Sequence, residues 1–179
     1  MSQRDSGYER KERDLYETPE WVTEALLPHL PDEPMEIWEP ACASGKMARV
    51  LARRHRVMSS DISDTPAVDF LTVEKSPFGL HDAIITNPPY EWAEEFIQRA
   101  LQFAWLKRGM VAMLLRTDYD HAKTRSYLFA DHYAFAKKIV LTRRIKWFED
   151  SKGSPSFNHA WFIWDHKNQG ASPTLAYAP

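Results

Sequence analysis

The stretch HDAIITNPPY, residues 81–90, indicates the fold more strongly than any other part of the chain. Its central residues Ala83-Ile84-Ile85 are apolar and Thr86 is β-branched, which predicts a short buried strand. The motif Asn87-Pro88-Pro89-Tyr90 follows at once, and two consecutive prolines fit neither a helix interior nor a central strand. The strand is therefore expected to end at Thr86, with an amide side chain and an aromatic ring held on a stiff turn.

Predicted strands and helices alternate on either side of this motif. The strands are predicted at residues 35–39, 56–61, 81–86, 109–115, 138–141 and 159–164. The helices are predicted at residues 21–29, 45–55, 91–106 and 121–132. This alternation predicts an α/β fold, in which a mostly parallel sheet is flanked by helices and the C-terminal strand runs antiparallel. The ligand site of such a fold lies at the carboxyl ends of the strands.

Two of the predicted helices carry a further expectation. Thr18 precedes Pro19, so we expect the Thr18 side chain to cap the first helix. Trp92 recurs at helical spacing with Phe96 and Phe103, so its ring is expected on the buried face of the third helix.

Length and composition indicate a single globular domain. The chain has 179 residues, of which 44% are hydrophobic and 13% aromatic, enough to bury a core. We expect residues 1–14 to form a flexible arm, 15–168 the domain and 169–179 a loose tail. Cys42 is the one cysteine, which excludes an intramolecular disulfide. No apolar run approaches the roughly 18 residues of a membrane span and the N-terminus does not resemble a signal peptide, which predicts a cytoplasmic protein.

The net charge of −2 hides an uneven distribution of charges. Residues 1–100 contain 11 Lys and Arg against 19 Asp and Glu, a balance of −8, whereas residues 101–179 contain 12 against 6, a balance of +6. Basic and aromatic residues are interleaved at 137–152. Such a stretch can bind phosphates and bases, although a solvated hairpin would have the same composition.

A second motif follows the first predicted strand. Glu39-Pro40-Ala41-Cys42-Ala43-Ser44-Gly45 places small residues between strand and helix, where the backbone can approach a ligand closely. It is neither a dinucleotide GxGxxG motif nor a Walker loop, and a tight turn would also use such residues. Asp61 ends the second strand, where an acidic side chain commonly accepts hydrogen bonds from a ribose; a solvated surface Asp is the alternative.

Together these motifs resemble the class I S-adenosylmethionine-dependent methyltransferases, and within them the amino-methyltransferases that carry a [DNS]PP[YFW] motif. The order of the motifs is similar to that of the gamma-arranged adenine-N6 DNA methyltransferases, including small phage-type members. The resemblance covers about residues 16–165. It implies a Rossmann-like fold, S-adenosyl-L-methionine as cofactor, DNA as partner, and methyl transfer to the N6 amine of adenine.

The resemblance also implies a cofactor site. Its residues would be Tyr16, Thr18, Pro19, Glu39, Pro40, Ala41, Cys42, Ser44, Gly45, Asp61, Ile62, Asp69, Phe70 and Asn87. Within this set, the loop from Glu39 to Gly45 would bind the methionine part, Asp61 the ribose and Asp69 the adenine amine. The loop departs from the family's glycine-rich form at Ala43.

The catalytic roles are implied in the same way. The Asn87 side-chain oxygen and the Pro88 carbonyl would accept hydrogen bonds from the target amine, and Tyr90 would stack on a flipped base. The catalytic set is Asn87, Pro88, Pro89 and Tyr90, and the target contacts would be Tyr90, Arg143, Arg144, Lys146, Trp147 and Phe157. No metal is expected, because His121 and His159 have no partner at metal-ligand spacing.

Two other functions stay open at this point. Related motifs also occur in enzymes that methylate an amine in RNA or a glutamine amide in a protein, and a catalytically silent binding module could keep the same fold. The family's large target-recognition domain has no counterpart here, since fewer than a hundred residues follow Tyr90. Homodimerisation is one way in which the chain could replace that domain.

Overall fold

Seven strands form one sheet in a computed structural model that describes residues 16–64, 66–147, 157–168 and 170–179. The strands are β1 (Glu36–Glu39), β2 (Arg56–Ser59), β3 (Ala83–Thr86), β4 (Met110–Arg116), β5 (Phe135–Leu141), β6 (His159–Asp165) and β7 (Thr174–Ala178). Their order across the sheet is β2-β1-β3-β4-β6-β5-β7. All neighbouring pairs are parallel except those that β6 makes with β4 and β5. The predicted α/β class, with one antiparallel strand near the C-terminus, is confirmed.

The strand order reverses at β1. From β1 the chain moves outward to β2, then returns across β1 to β3, which pairs with the other side of β1. The segments that follow β1 and β3 therefore leave the sheet in different directions and open a crevice between them. In doubly wound sheets this reversal is where ligands bind.

Three α-helices lie in the described residues: α1 (Glu20–Glu24), α2 (Lys46–Leu51) and α3 (Ala93–Trp105). They overlap the first three predicted helices but are shorter. The first ends early and gives way to a 3-10 turn at Leu27–His29, which contains Pro28. No helix in the described residues is long and apolar enough to cross a membrane.

The helix predicted at residues 121–132 is wrong. The chain forms two 3-10 helices there, at Tyr119–His121 and Lys123–Leu128. Two side chains donate hydrogen bonds to backbone carbonyls of this region. Arg125 Nε donates to Tyr119 O at 2.9 Å, and Trp164 Nε1 donates to Leu128 O at 2.6 Å. These hydrogen bonds, one within the segment and one from β6, together with Thr and Ser in the segment, favour tight turns over an α-helix.

Two side-chain expectations are also wrong. Thr18 makes no capping hydrogen bond, because Pro19 occupies the N-cap position and Thr18 is buried. The Trp92 ring is 49% exposed, since residue 92 belongs to a 3-10 turn that precedes α3 and so lies out of phase with its apolar face.

Hydrophobic residues fill both faces of the sheet. One cluster contains Trp38, Phe70 and Phe162 and packs against α3, and the other contains Ile37, Ile85 and Trp161 and packs against α1 and α2. The two central strands β3 and β4 are consequently almost fully buried. A rigid sheet of this kind holds the crevice-facing strand ends in place.

The expected loose tail at residues 169–179 is wrong for its last part. Thr174–Ala178 is an edge strand paired in parallel with β5, and Ala178 O accepts hydrogen bonds from the Thr142 N–H at 2.8 Å and the Thr142 hydroxyl at 3.0 Å. Ala178 is buried, whereas Tyr177 is 66% exposed. Strand pairing across the sheet, which local composition does not reveal, orders these residues.

Substituting Ala178→Asp should lower the free energy of unfolding by about 2–3 kcal/mol, because a carboxylate would be buried without a partner. Tyr177→Asp, one residue earlier on the exposed side, should change it by less than about 0.5 kcal/mol. Urea unfolding of both variants checks this. Equal, small effects would mean that the tail is loose in solution.

Candidate active site

A crevice opens at the carboxyl ends of β1 and β3. The space within it, open solvent included, is about 260 Å³. It is lined by Tyr16, Glu17, Thr18, Glu39, Ala41, Cys42, Ala43, Ser44, Lys46, Met47 and Asn87. Three segments that are distant in sequence thus meet at the point where the strand order reverses.

The small-residue loop after β1 is held open by its backbone geometry. Ala43 and Gly45 both have positive φ, 46° and 76°, so the chain turns sharply before α2 begins. The Ala43 N–H donates to Asp61 Oδ2 at 2.9 Å, and the Cys42 N–H donates to Ser60 O at 3.1 Å. The loop after β1 is therefore tied to the end of β2.

Asp61 has a structural role that the sequence did not indicate. Besides Ala43, the Ser63 N–H and hydroxyl donate to Asp61 Oδ1, at 2.9 and 2.7 Å. Partial burial would raise the pKa of this carboxyl, but the hydrogen bonds from Ser63, Ala43 and Ile62 outweigh it and lower the pKa. The carboxylate stays ionised and still has lone pairs for a ligand hydroxyl.

Glu39 lies at the base of the crevice and is only 2% exposed. Burial raises the pKa of its carboxyl to about 8, against the effect of a hydrogen bond from the Ala48 backbone, and the Asp61 charge raises it further. Its Oε2 atom has no hydrogen-bond partner among the described residues. A buried acid with an unsatisfied oxygen is costly, and a cationic ligand group would offset that cost.

Asn87 directly follows β3 and lines the same crevice. Its Nδ2 donates to the Tyr16 carbonyl at 3.2 Å, and the side chain makes no other hydrogen bond within the described part of the chain. Pro88 is buried and Pro89 partly so, which anchors the turn. The Asn87 Oδ1 is thus available to accept a hydrogen bond from a bound group.

The segment Tyr16–Thr18 lines the crevice. The Tyr16 ring packs on Trp147, with centroids 5.4 Å apart, and Thr18 is buried. The Glu17 carboxylate lies 2.7 Å from Lys46 Nζ. Pro19 follows as the N-cap of α1.

The predicted target residues lie along the same edge of the sheet. Tyr90 is 41% exposed beside Asn87. Arg143 stacks over the Trp21 ring at 4.9 Å, and Arg144 Nε donates to Asn158 Oδ1 at 2.9 Å. Lys146 is exposed at the same edge.

Two predicted target aromatics are half-buried and pack against other side chains. The Trp147 ring packs between Tyr16 and His159, and Phe157 lies under the Arg116 guanidinium at 4.2 Å. Neither motif predicted a role for Arg116, which lies next to Phe157 because it is the last residue of β4. The rest of the basic stretch, residues 148–152, lies outside the described residues.

The other predicted cofactor residues lie in the loop after β1, beside Asp61, in a turn at Asp69 and in the core. Pro40 and Gly45 belong to the loop after β1, and Ile62 is 59% exposed beside Asp61. Asp69 accepts a hydrogen bond from the Leu71 N–H at 3.0 Å within a turn. The Phe70 side chain is 2% exposed and lies in the core, where it contacts Trp38 and Phe96 with ring centroids 5.0 Å away.

Sequence patterns did not predict the Glu17–Lys46 ion pair, since an ion pair between distant residues leaves no local signal.

A metal site would require a group of His, Cys, Asp or Glu side chains close together. Within residues 16–64, 66–147, 157–168 and 170–179, no three His, Cys, Asp or Glu side chains are grouped so that they could hold a metal ion.

Solved methyltransferase structures share this fold. A proposed class I S-adenosylmethionine-dependent methyltransferase from Listeria monocytogenes aligns with a TM-score of 0.61 at 14% identity, over 90% of this chain and 65% of that one. A type I restriction-modification methyltransferase subunit from Streptococcus thermophilus aligns with a TM-score of 0.61 at 12% identity, over 84% of this chain and 44% of that one. The 23S rRNA methyltransferase ErmE aligns with a TM-score of 0.54 at 16% identity, over 85% of this chain and 68% of that one.

These likenesses establish the fold, which is the Rossmann-like fold of class I methyltransferases. This chain spans less than half of the streptococcal subunit and about two thirds of the listerial protein. No protein-family model and no curated protein matches the sequence.

The high pKa of Glu39 predicts how stability depends on pH. Because the folded-state pKa of about 8 lies above the ordinary 4.5, the folded protein loses stability as pH rises toward 8 and levels off above it. Between pH 7 and 8.5 we expect the free energy of unfolding to fall by about 1–2 kcal/mol. Glu39→Gln should remove this slope in urea titrations, and the exposed control Glu24→Gln should keep it. Equal slopes in all three proteins would contradict the assignment.

Proposed function

We propose that this chain is an S-adenosyl-L-methionine-dependent methyltransferase that methylates the N6 amine of adenine in DNA. The observation that carries the proposal is the convergence of two motifs on one crevice. The loop from Glu39 to Gly45 and the Asn87 side chain come from different strands and face the same space at the strand-order reversal.

The residues of the crevice fit the cofactor. The unsatisfied Glu39 oxygen suits the ammonium of its methionine part, and the turn at Ala43–Gly45 lets backbone approach it. Asp61 would accept hydrogen bonds from the ribose while it braces the loop, and Asp69 remains the candidate for the adenine end. When bound, the cofactor supplies an electrophilic methyl group.

Asn87 would orient the target amine. The exocyclic amine of adenine is a poor nucleophile, because its lone pair is delocalised into the ring. Asn87 Oδ1 and the Pro88 carbonyl would each accept one of its hydrogens and so favour a pyramidal nitrogen. Since the Asn87 Nδ2 already donates to Tyr16 O, the Asn87 side chain would need little movement to accept the amine hydrogen.

DNA would contact the same edge of the sheet. Arg143 and Arg144 are exposed there, with orientations set by Trp21 and Asn158, and Tyr90 presents a ring beside the catalytic turn. A different nucleic acid is the second candidate, because one protein of the same fold is an rRNA methyltransferase. An amine in RNA would use the same groups.

Asn87→Ala should lower methyl transfer by roughly 10²-fold or more, because the acceptor that orients the amine is lost. The matched control is Asn168→Ala, at the opposite edge of the sheet, with expected wild-type activity. Isotopically labelled S-adenosyl-L-methionine is incubated with duplex DNA, single-stranded DNA, RNA or cell extract, and the digests are analysed by mass spectrometry.

Label in N6-methyldeoxyadenosine that disappears with Asn87→Ala supports the proposal. Label in RNA or protein alone overturns the DNA substrate but keeps the reaction. Cofactor binding without label in any fraction points to a silent binding module.

The double variant Arg143→Glu with Arg144→Glu should weaken DNA binding and its salt dependence. Each lost phosphate contact lowers the slope of log affinity against log salt by about 0.9 for duplex DNA. Arg108→Glu with Lys167→Glu, at the opposite edge, is the control and should leave the slope unchanged. If the first pair also left affinity and slope unchanged, this edge would not be the DNA surface.

A further inference from the structure

The Glu17–Lys46 ion pair sits at the mouth of the crevice. Lys46 is the one basic residue among those that line the crevice in the described part of the chain, and its Nζ lies 2.7 Å from Glu17 Oε2. Hydrogen bonds from Lys46 and Ser44 hold the pKa of the Glu17 carboxyl below its usual range, so Glu17 is an anion. The Glu17 carboxylate of the chain itself is therefore paired with the Lys46 ammonium, the cation of the crevice.

The base of the crevice has the opposite character. Glu39 Oε2 is buried and lacks a partner among the described residues, so this end can accept a cationic donor. The lining thus offers an acid at depth and a cation at the rim. That pairing is complementary to an α-amino acid, with its ammonium inward and its carboxylate outward.

We propose that Lys46 binds the carboxylate of an α-amino-acid group in this crevice, and that Glu17 occupies Lys46 until such a ligand enters. The inference rests on the proposed function, which supplies the ligand: S-adenosyl-L-methionine ends in an α-amino acid. On binding, Lys46 exchanges the Glu17 carboxylate for the carboxylate of the cofactor, with no covalent change.

The alternative is that the ion pair merely fastens the segment Tyr16–Thr18 over the crevice. That segment has other attachments, however. Asn87 Nδ2 donates to Tyr16 O, the Tyr16 ring packs on Trp147, and Thr18 is buried. Removing the Glu17 charge should therefore remove this competing carboxylate from Lys46 without releasing the segment, and the two roles predict opposite changes in affinity.

Calorimetry of the full chain with two ligands tests the proposal. The ligands are S-adenosyl-L-methionine and its decarboxylated analogue, which lacks only the carboxylate. Lys46→Met should weaken binding of S-adenosyl-L-methionine about tenfold and leave the analogue within about twofold. Glu17→Gln should tighten binding of S-adenosyl-L-methionine about threefold and leave the analogue unchanged. The controls are Lys167→Met and Glu20→Gln, an exposed residue paired with Arg53.

Three results would overturn the inference. If Lys46→Met leaves the preference for S-adenosyl-L-methionine over the analogue intact, Lys46 does not bind the carboxylate. If Glu17→Gln weakens binding of both ligands, Glu17 only fastens the segment. If the wild-type chain binds neither ligand, the proposed function fails together with the inference, whereas the first two results leave that function standing.

Discussion

The parallel pairing of β1 with both β2 and β3 is the constraint on which the rest of the structure depends. It forces the segments after β1 and β3 apart and leaves a crevice between them. The hydrogen bond from the Ala43 N–H to Asp61 then fixes one wall by linking it to β2, and two prolines after Asn87 fix the other. Neither wall could keep its position without the buried sheet beneath it.

Charge gives this crevice its chemical character. Glu39 is buried at its base and the Glu17–Lys46 ion pair lies at its mouth, so charged groups are in place before any ligand binds. Burying Glu39 raises its pKa to about 8 and destabilises the folded state at neutral pH and above. A buried acid kept at such a cost fits the proposed cofactor site.

Most strands and the turn at Asn87 could be predicted, because apolar runs and consecutive prolines are local signals. The correct grouping of Glu39 and Asn87 followed from the rule that parallel strands end at one edge. The burial of the Phe70 ring and the exposure of the Trp92 ring could not be predicted, since each depends on the element that packs beside it. The strand at Thr174–Ala178 and the Glu17–Lys46 pair depend on contacts between distant segments, which composition and periodicity do not encode.

Hydrogen–deuterium exchange of the whole chain with and without S-adenosyl-L-methionine tests whether this crevice is the cofactor site. We expect slower exchange of backbone amides at residues 16–18, 41–47 and around Asn87, with no change around Trp105 at the opposite edge of the sheet. Protection that is absent from these segments, or that appears only around Trp105, would contradict this assignment.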